Sequence, residues 1–164
     1  MLFLDCEFDG YRGPLISIAL VSDEGFDDDK RNEFYAVLQD TAKDEWVQQN
    51  VLPILLGKPE PRAAVAARLR AFFEEHDDEM VYADHAADFM YLMDLINEPN
   101  GDWQLGSLES LGMRLLNRDG DYVSALPHNA LSDARALRRW YVGERKAPVK
   151  PVVSAGPNPR QTHR

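Results

Sequence analysis

The chain has 164 residues, of which 45% are hydrophobic, and a formal net charge of −10. This length and apolar content predict one globular domain with a proper core. The negative charge argues against a protein that holds long nucleic acids by phosphate contacts, because such contacts need Lys and Arg. It leaves open an enzyme that grips only the end of a strand and uses metal ions as its positive charge.

The sequence carries no sign of membrane insertion or export. It has no run of about 18 apolar residues, which a membrane span would need. Its N-terminus lacks a basic region followed by an apolar segment and a cleavage site. Cys6 is the single cysteine, so no internal disulfide can form. A cytoplasmic protein is therefore expected.

The first ten residues join an apolar run to two acids. Residues 1–4 and the turn signal at Gly10 predict a buried β-strand. Side chains alternate along a strand, so Asp5 and Glu7 point to one side and Cys6 points to the core on the other. The two acids are either left in water at a strand end or bind a hard cation such as Mg²⁺ or Mn²⁺, which takes oxygen ligands.

The rest of the chain alternates between strand and helix patterns. Predicted strands cover residues 15–21, 33–38 and 80–83, and predicted helices cover residues 44–56 with a break near Val51, 61–76, 86–96, 108–116 and 129–145. Loops are expected over residues 23–30, 97–103 and 117–121. Short connections make the first three strands an antiparallel meander, and the whole pattern predicts an α/β layered domain.

Two segments differ in composition from the rest. The acidic loop over residues 23–30 lacks the spaced acids and closing Glu of an EF-hand, so we do not expect a calcium site there. From Lys146 onward the chain has prolines and scattered basic residues but no acid. This composition predicts a disordered, mildly basic tail over residues 146–164 and a folded domain over residues 1–145.

Two further acids lie where a predicted strand passes into a helix. Asp84 follows the strand over residues 80–83, and Asp88 lies in the first helical turn. In the structural interpretation, each is an acid that caps or stabilises the helix N-terminus. In the functional interpretation, one of them joins the first two acids at a metal site.

The last predicted helix carries a histidine and an acid five residues apart. Within a regular helix, this offset places two side chains about 140° apart. Asn129 is suited to be the N-cap, which leaves His128 outside the helix and Asp133 inside it. This arrangement allows both side chains to face one site.

In chain order, these residues form the pattern Asp-x-Glu, Asp and His-x4-Asp. The pattern resembles that of the DEDDh exonuclease superfamily, which comprises proofreading and RNA-trimming nucleases with a ribonuclease H-like fold. Over residues 1–145, the chain is most similar to the bacterial RNase AS-like 3′-5′ exoribonucleases. The similar segments are Asp5-Cys6-Glu7-Phe8, Leu15-Ile16-Ser17-Ile18, Trp46-Val47 with Val51-Leu52-Pro53, and residues 128–135. Cys6 replaces a Thr or similar residue, which is harmless if the side chain faces the core.

The resemblance implies a ribonuclease H-like layered domain whose mixed sheet starts with the three-strand meander and is flanked by helices. It also implies two Mg²⁺ or Mn²⁺ ions bound by four carboxylates, those of Asp5, Glu7, Asp88 and Asp133. Asp5 would bridge the two ions, and His128 would be the general base. Asp88 is preferred to Asp84 because an apolar helical stretch follows it. Phe8 is expected either to stack on the terminal base or to pack in the core, whereas Trp46 is interpreted as a packing anchor.

The implied activity is that of a 3′-5′ exoribonuclease, which releases nucleoside 5′-monophosphates from the 3′ ends of single-stranded RNA. A preference for adenylate-rich ends and a homodimer are further properties that the resemblance suggests. An exonuclease for single-stranded DNA or short oligonucleotides is the nearest alternative, because no residue that reads the 2′-hydroxyl can be named. An alternative from another class is a catalytically idle acidic module that binds a partner protein.

Overall fold

A computed structural model describes residues 1–24, 32–39, 42–76, 80–97, 111–117 and 122–144. The predicted tail over residues 146–164 and most of the three predicted loops lie outside these ranges. Within the described ranges, no helix combines the length and the hydropathy that crossing a membrane requires.

A mixed sheet of six strands organises the described part of the chain. The strands are β1 (Leu2–Phe8), β2 (Leu15–Ser22), β3 (Glu33–Leu38), β4 (Pro59–Glu60), β5 (Met80–Ala83) and β6 (Gly112–Leu115). Their order across the sheet is β4-β3-β2-β1-β5-β6. Strands β1, β2 and β3 form the predicted antiparallel meander, whereas β5 runs parallel to β1 and β6 parallel to β5. The predicted α/β class and the meander are confirmed.

The helices follow the apolar periodicity of the sequence closely. They are α1 (Glu45–Asn50), α2 (Arg62–Glu75), α3 (Ala86–Ile96) and α4 (Ala130–Glu144), with a 3₁₀ turn over Leu52–Ile54 after α1. Asp44 caps α1, since its carboxylate accepts the backbone N–H of Val47 at 3.1 Å. The helix ends before Pro53 because proline has no N–H for the helical hydrogen-bond ladder.

The predicted helix over residues 108–116 is wrong where the structure describes it. Residues 112–115 form β6, which pairs in parallel with β5 along its whole length. The apolar residues of this segment have a spacing that suits a helix, but β5 offers an open edge of backbone N–H and C=O groups. Pairing with that edge satisfies these groups, so the tertiary context overrides the local preference. The two-residue strand β4 was also missed.

The alternation of side chains along β1 divides the core into two layers. Leu4 and Cys6 are buried on the face covered by α2 and α3, so the prediction of a core cysteine is confirmed. Phe3 points to the opposite face and packs with residues of α4. Because side chains alternate, Asp5 and Glu7 lie on the same face as Phe3, towards α4.

Helix α4 is attached to the sheet by two arginines. The guanidinium of Arg135 donates two hydrogen bonds to the Glu33 carboxylate of β3, at 2.7 and 2.6 Å. The guanidinium of Arg138, which is buried, donates to the Ser22 carbonyl at 3.2 Å. Two parallel bonds from one planar guanidinium fix orientation as well as distance. They fix the middle of α4 against β2 and β3.

Candidate active site

Five carboxylates converge at the C-terminal ends of the parallel strands β1 and β5. They belong to β1, to the β5–α3 junction, to α3 and to α4, and are those of Asp5, Glu7, Asp84, Asp88 and Asp133. One oxygen from each carboxylate enters two groups, Asp5–Glu7–Asp133 and Asp5–Asp84–Asp88, and within each group these three oxygens lie within 4.8 Å of one another. Asp5 belongs to both groups. The structure therefore brings together all four predicted metal ligands and adds Asp84, which the sequence pattern ranked below Asp88.

Several of these carboxylate oxygens are buried and lack a hydrogen-bond partner within the described ranges. Asp88 is only 1% exposed. Oδ2 of Asp5, Oδ2 of Asp88 and Oδ1 of Asp133 have no hydrogen-bond partner among the described residues. A buried polar group left without a partner costs about 1–3 kcal/mol, and more if it is charged. Carboxylate oxygens at this spacing suit a hard divalent cation, and such an ion would remove the cost.

The raised pKa values of the cluster also favour a bound cation. Burial raises the pKa of Asp5 well above its usual range, and the nearby charges of Asp88 and Glu7 raise it further. Burial, followed by the charges of Asp84 and Glu7, raises the pKa of Asp88 to about 8. Burial and the charge of Asp133 raise the pKa of Glu7 to about 7. The acids thus favour bound protons at neutral pH unless another positive charge replaces them.

The start of α4 places His128 and Asp133 beside one another. Asn129 is buried and caps the helix, because its Oδ1 accepts the backbone N–H of Ser132 at 3.2 Å. Its Nδ2 donates to the Ile54 carbonyl at 2.9 Å, which ties the cap to the 3₁₀ turn. His128 precedes the helix with a φ of 66°. The prediction that Asn129 caps the helix and leaves His128 outside it is confirmed.

Trp46 is not the packing anchor that the sequence suggested. Its side chain is 52% exposed and lines the same cleft as the acids. Its ring meets the ring of His128 edge to face, with 4.9 Å between the centroids. No sequence pattern indicates this exposure, because tryptophan side chains are on average highly buried.

Phe8 lies between the core and the cleft. Its ring stacks on Tyr91 at a centroid distance of 4.9 Å and approaches His85 at 6.2 Å. It packs against the α2–α3 side of the core and also lines the cleft. Phe8 therefore packs against the core and also borders the cleft, so the two interpretations of this residue are compatible.

The β5–α3 junction has a different cap from the one expected. The side chain that caps α3 is that of His85, whose Nδ1 accepts the Ala87 N–H at 3.4 Å. Asp84 instead accepts a hydrogen bond from the Tyr122 hydroxyl at 3.0 Å. Both residues line the cleft. The parallel pairing of β1 with β5 explains why Asp84 lies near Asp5, since the C-terminal ends of parallel strands meet at one edge of a sheet. A prediction of this pairing from the sequence would therefore have included Asp84 in the site.

One cleft of about 780 Å³ joins these groups. Its described lining has an acidic floor and an aromatic rim, the rim consisting of Phe8, Tyr11, Trp46 and Tyr122. A cleft of this size lies in the upper part of the range of about 300–1,000 Å³ typical of small-molecule sites.

Comparison with protein-family models, with curated proteins and with solved structures finds no match in any of the three. What the chain does is therefore inferred from its own residues and their geometry.

Proposed function

We propose that this chain is a metal-dependent 3′-5′ exoribonuclease, which removes nucleoside 5′-monophosphates from the 3′ ends of single-stranded RNA. The observation that supports this most directly is the convergence of the predicted carboxylates with His128 around one cleft. Their types and their order along the chain are those of the DEDDh exonucleases. The mixed sheet, with β1 between antiparallel β2 and parallel β5, is compatible with a ribonuclease H-like fold.

The two carboxylate groups suggest how the metal ions would be held. Two Mg²⁺ or Mn²⁺ ions, when bound, supply a nucleophilic water at neutral pH and stabilise the leaving 3′-oxygen of an in-line displacement. Glu7 and Asp133 would hold one ion, and Asp88, with Asp84 in reach, the other. Asp5 would contribute to both, because it belongs to both groups.

His128 would be the residue that moves the proton. Its side chain lines the cleft, and its backbone is fixed to Asp133. In this proposal the imidazole takes the proton of the attacking water and passes it to solvent, which reaches the exposed residue directly. Contact with the Trp46 ring restricts how the imidazole can turn.

The aromatic side chains of the cleft indicate the class of substrate. Bases of any identity can stack on an aromatic ring, with a contribution of about 1–3 kcal/mol each. Phe8 and Trp46 line the cleft together with the acids and would hold the terminal base. The net charge of −10 disfavours binding along a long phosphate backbone. The contacts are therefore expected to concentrate on the 3′ end of the strand.

Two alternatives remain distinct from this proposal. An exonuclease for single-stranded DNA or short oligonucleotides would use the same groups, because none of them is identified as a reader of the 2′-hydroxyl. An idle acidic module that binds a partner protein is disfavoured. Its buried carboxylate oxygens, which have no hydrogen-bond partner among the described residues, would lower the stability of the fold without serving binding at the surface. A preference for adenylate-rich ends and a homodimer belong to the proposal through the resemblance alone.

The test is a cleavage assay with matched 5′-labelled RNA and DNA single strands in Mn²⁺, with and without excess EDTA. RNA ladders that shorten from the 3′ end and vanish with EDTA are expected. Asp133→Asn should be inactive, whereas Asp94→Asn, which changes an exposed acid in a surface ion pair with Arg62, should be fully active. Faster cleavage of DNA would favour the first alternative. Absence of any cleavage in Mg²⁺ or Mn²⁺ would favour the idle module.

A further inference from the structure

The loop between β1 and β2 presents an exposed aromatic residue at the rim of the cleft. Tyr11 is 89% exposed and lines the cleft together with Gly10. The guanidinium carbon of Arg12 lies 5.3 Å from the centroid of the Tyr11 ring. Arg12 adopts a φ of 62°, a conformation that residues other than glycine seldom take. The Tyr11 ring and the Arg12 guanidinium therefore lie against each other on the solvent-exposed edge of the acidic cleft.

This loop is fixed by several hydrogen bonds. The Asp9 carboxylate accepts the backbone N–H groups of Lys43 and Asp44, at 2.7 and 2.8 Å. The Tyr91 hydroxyl donates to the Gly13 carbonyl at 2.8 Å. A Cβ at Gly13 would lie 1.7 Å from the Asp9 carbonyl oxygen, so the turn closes only with glycine. The loop is ordered before any ligand binds, which lowers the entropic cost of binding.

The environment of Tyr11 and Arg12 matches one kind of ligand. Arg12 covers one face of the Tyr11 ring, which leaves the other face open to a flat group. Arg12 forms no ion pair with any described residue, although the protein as a whole is strongly acidic. An open aromatic face beside an unneutralised cation suits a nucleotide, whose base stacks while its phosphate meets the guanidinium.

Tyr11 lines the cleft, with Arg12 beside it, and this position indicates which nucleotide the pair would take. In the proposed function, the scissile phosphate lies at the carboxylates and the terminal base lies at Phe8 and Trp46. The hydroxyl of Tyr122 is already engaged by Asp84. Tyr11 is the most exposed aromatic residue of the described rim, so its ring is accessible to the chain that leaves the cleft.

We propose that Tyr11 and Arg12 bind the nucleotide immediately upstream of the scissile phosphate. Tyr11 stacks on its base, and Arg12 neutralises its phosphate. This inference rests on the proposed function. It makes oligonucleotides of two or more residues bind more tightly than the mononucleotide product, which does not reach the loop and leaves readily.

The test measures binding separately from catalysis. A 5′-fluorescein tetraadenylate is titrated with protein in Ca²⁺ in place of Mg²⁺, the probe being checked for integrity after each titration, and AMP is measured as a competitor. Tyr11→Ala should weaken tetranucleotide binding by about 5- to 100-fold, the effect of losing one stacked base. Arg12→Ala should also weaken it, because a phosphate contact is lost. Both variants should leave AMP binding unchanged. Tyr11→Phe should bind like the wild type. Arg12→Ala should also show a shallower dependence on salt.

Met90→Ala is the matched control, because Met90 is 59% exposed on α3 and does not line the cleft. Wild-type tetranucleotide affinity in Tyr11→Ala would overturn the inference and leave the proposed function standing. Equal losses of AMP and tetranucleotide binding would also overturn it, since the loop would then act on the terminal nucleotide. If the wild type binds neither ligand, the proposed function fails and the inference fails with it.

Discussion

The backbone N–H of His128 donates a hydrogen bond to Oδ2 of Asp133 at 2.9 Å. The carboxylate of Asp133, in the first turn of α4, thus binds the backbone of the residue that precedes the Asn129 cap. This bond leaves Oδ1 of Asp133 buried, without a partner among the described residues and next to the acids of β1. One hydrogen bond therefore fixes the spacing between the proposed base and a proposed metal ligand.

His128→Ala is expected to lower kcat by about 10²–10⁴-fold, the effect of losing a general base. Mn²⁺ binding should be retained, because the backbone bond to Asp133 does not need the imidazole. The measurements are single-turnover RNA cleavage and calorimetric titration with Mn²⁺. His76→Ala is the control, since His76 stacks on Phe72 at the end of α2, away from the cleft. Near-normal turnover in His128→Ala would make His128 a structural residue.

Asp88→Asn is expected to abolish turnover, because Asp88 is buried and its Oδ2 has no hydrogen-bond partner in the described part of the chain. Asp84→Asn should leave much of the activity, because Asp84 is less buried and is also bonded to Tyr122. Cleavage rates over a range of Mn²⁺ concentrations separate the two, since Asp84→Asn should mainly raise the Mn²⁺ requirement. The reverse pattern would exchange the roles of the two acids without changing the mechanism.

The metal-free protein is expected to lose stability as the pH rises from about 5 to 8. The pKa of Asp88 is raised to about 8 and that of Glu7 to about 7, whereas both are near 4 in an unfolded chain. The folded state thus holds more protons in this window, so its stability is present below pH 4 and falls as the pH passes the folded values. Urea unfolding in EDTA at several pH values measures this.

Asp88→Asn supplies the control for that experiment. It removes the buried acid, so in EDTA it should be more stable than the wild type at pH 8 and should depend less on pH. Added Mn²⁺ should stabilise the wild type most at high pH, where the carboxylates are charged. A pH-independent free energy of unfolding in EDTA would contradict both expectations.

Trp46→Ala is expected to lower kcat/KM for RNA by about 5- to 100-fold, from lost stacking and from a less restricted His128. Trp46→Phe should recover much of the loss, since a ring remains at the rim. Leu56→Ala is a matched control, because Leu56 has the same exposure of 52% and does not line the cleft. Thermal unfolding should shift little in either variant. Equal activities of Trp46→Ala and Leu56→Ala would remove Trp46 from the site.

The sequence by itself determined the local arrangements of this protein. Alternation along a strand places Asp5 and Glu7 on one face and Cys6 on the other, whatever else the fold does. Asn129 as a cap likewise sets His128 outside α4, because capping depends on neighbouring backbone groups. These predictions hold because strand pleat and helix capping are set by residues within a few positions of one another.

Only the tertiary structure decided which distant groups share the site. The nearness of Asp84 and Asp88 to Asp5 follows from the parallel pairing of β5 with β1. The same sheet turned residues 112–115 from the expected helix into β6, and the packing around α1 left Trp46 facing the cleft rather than the core. Each outcome depends on contacts between segments far apart in the chain. Local periodicity carries no information about such contacts, because it shows that a face is buried but not which segment covers it.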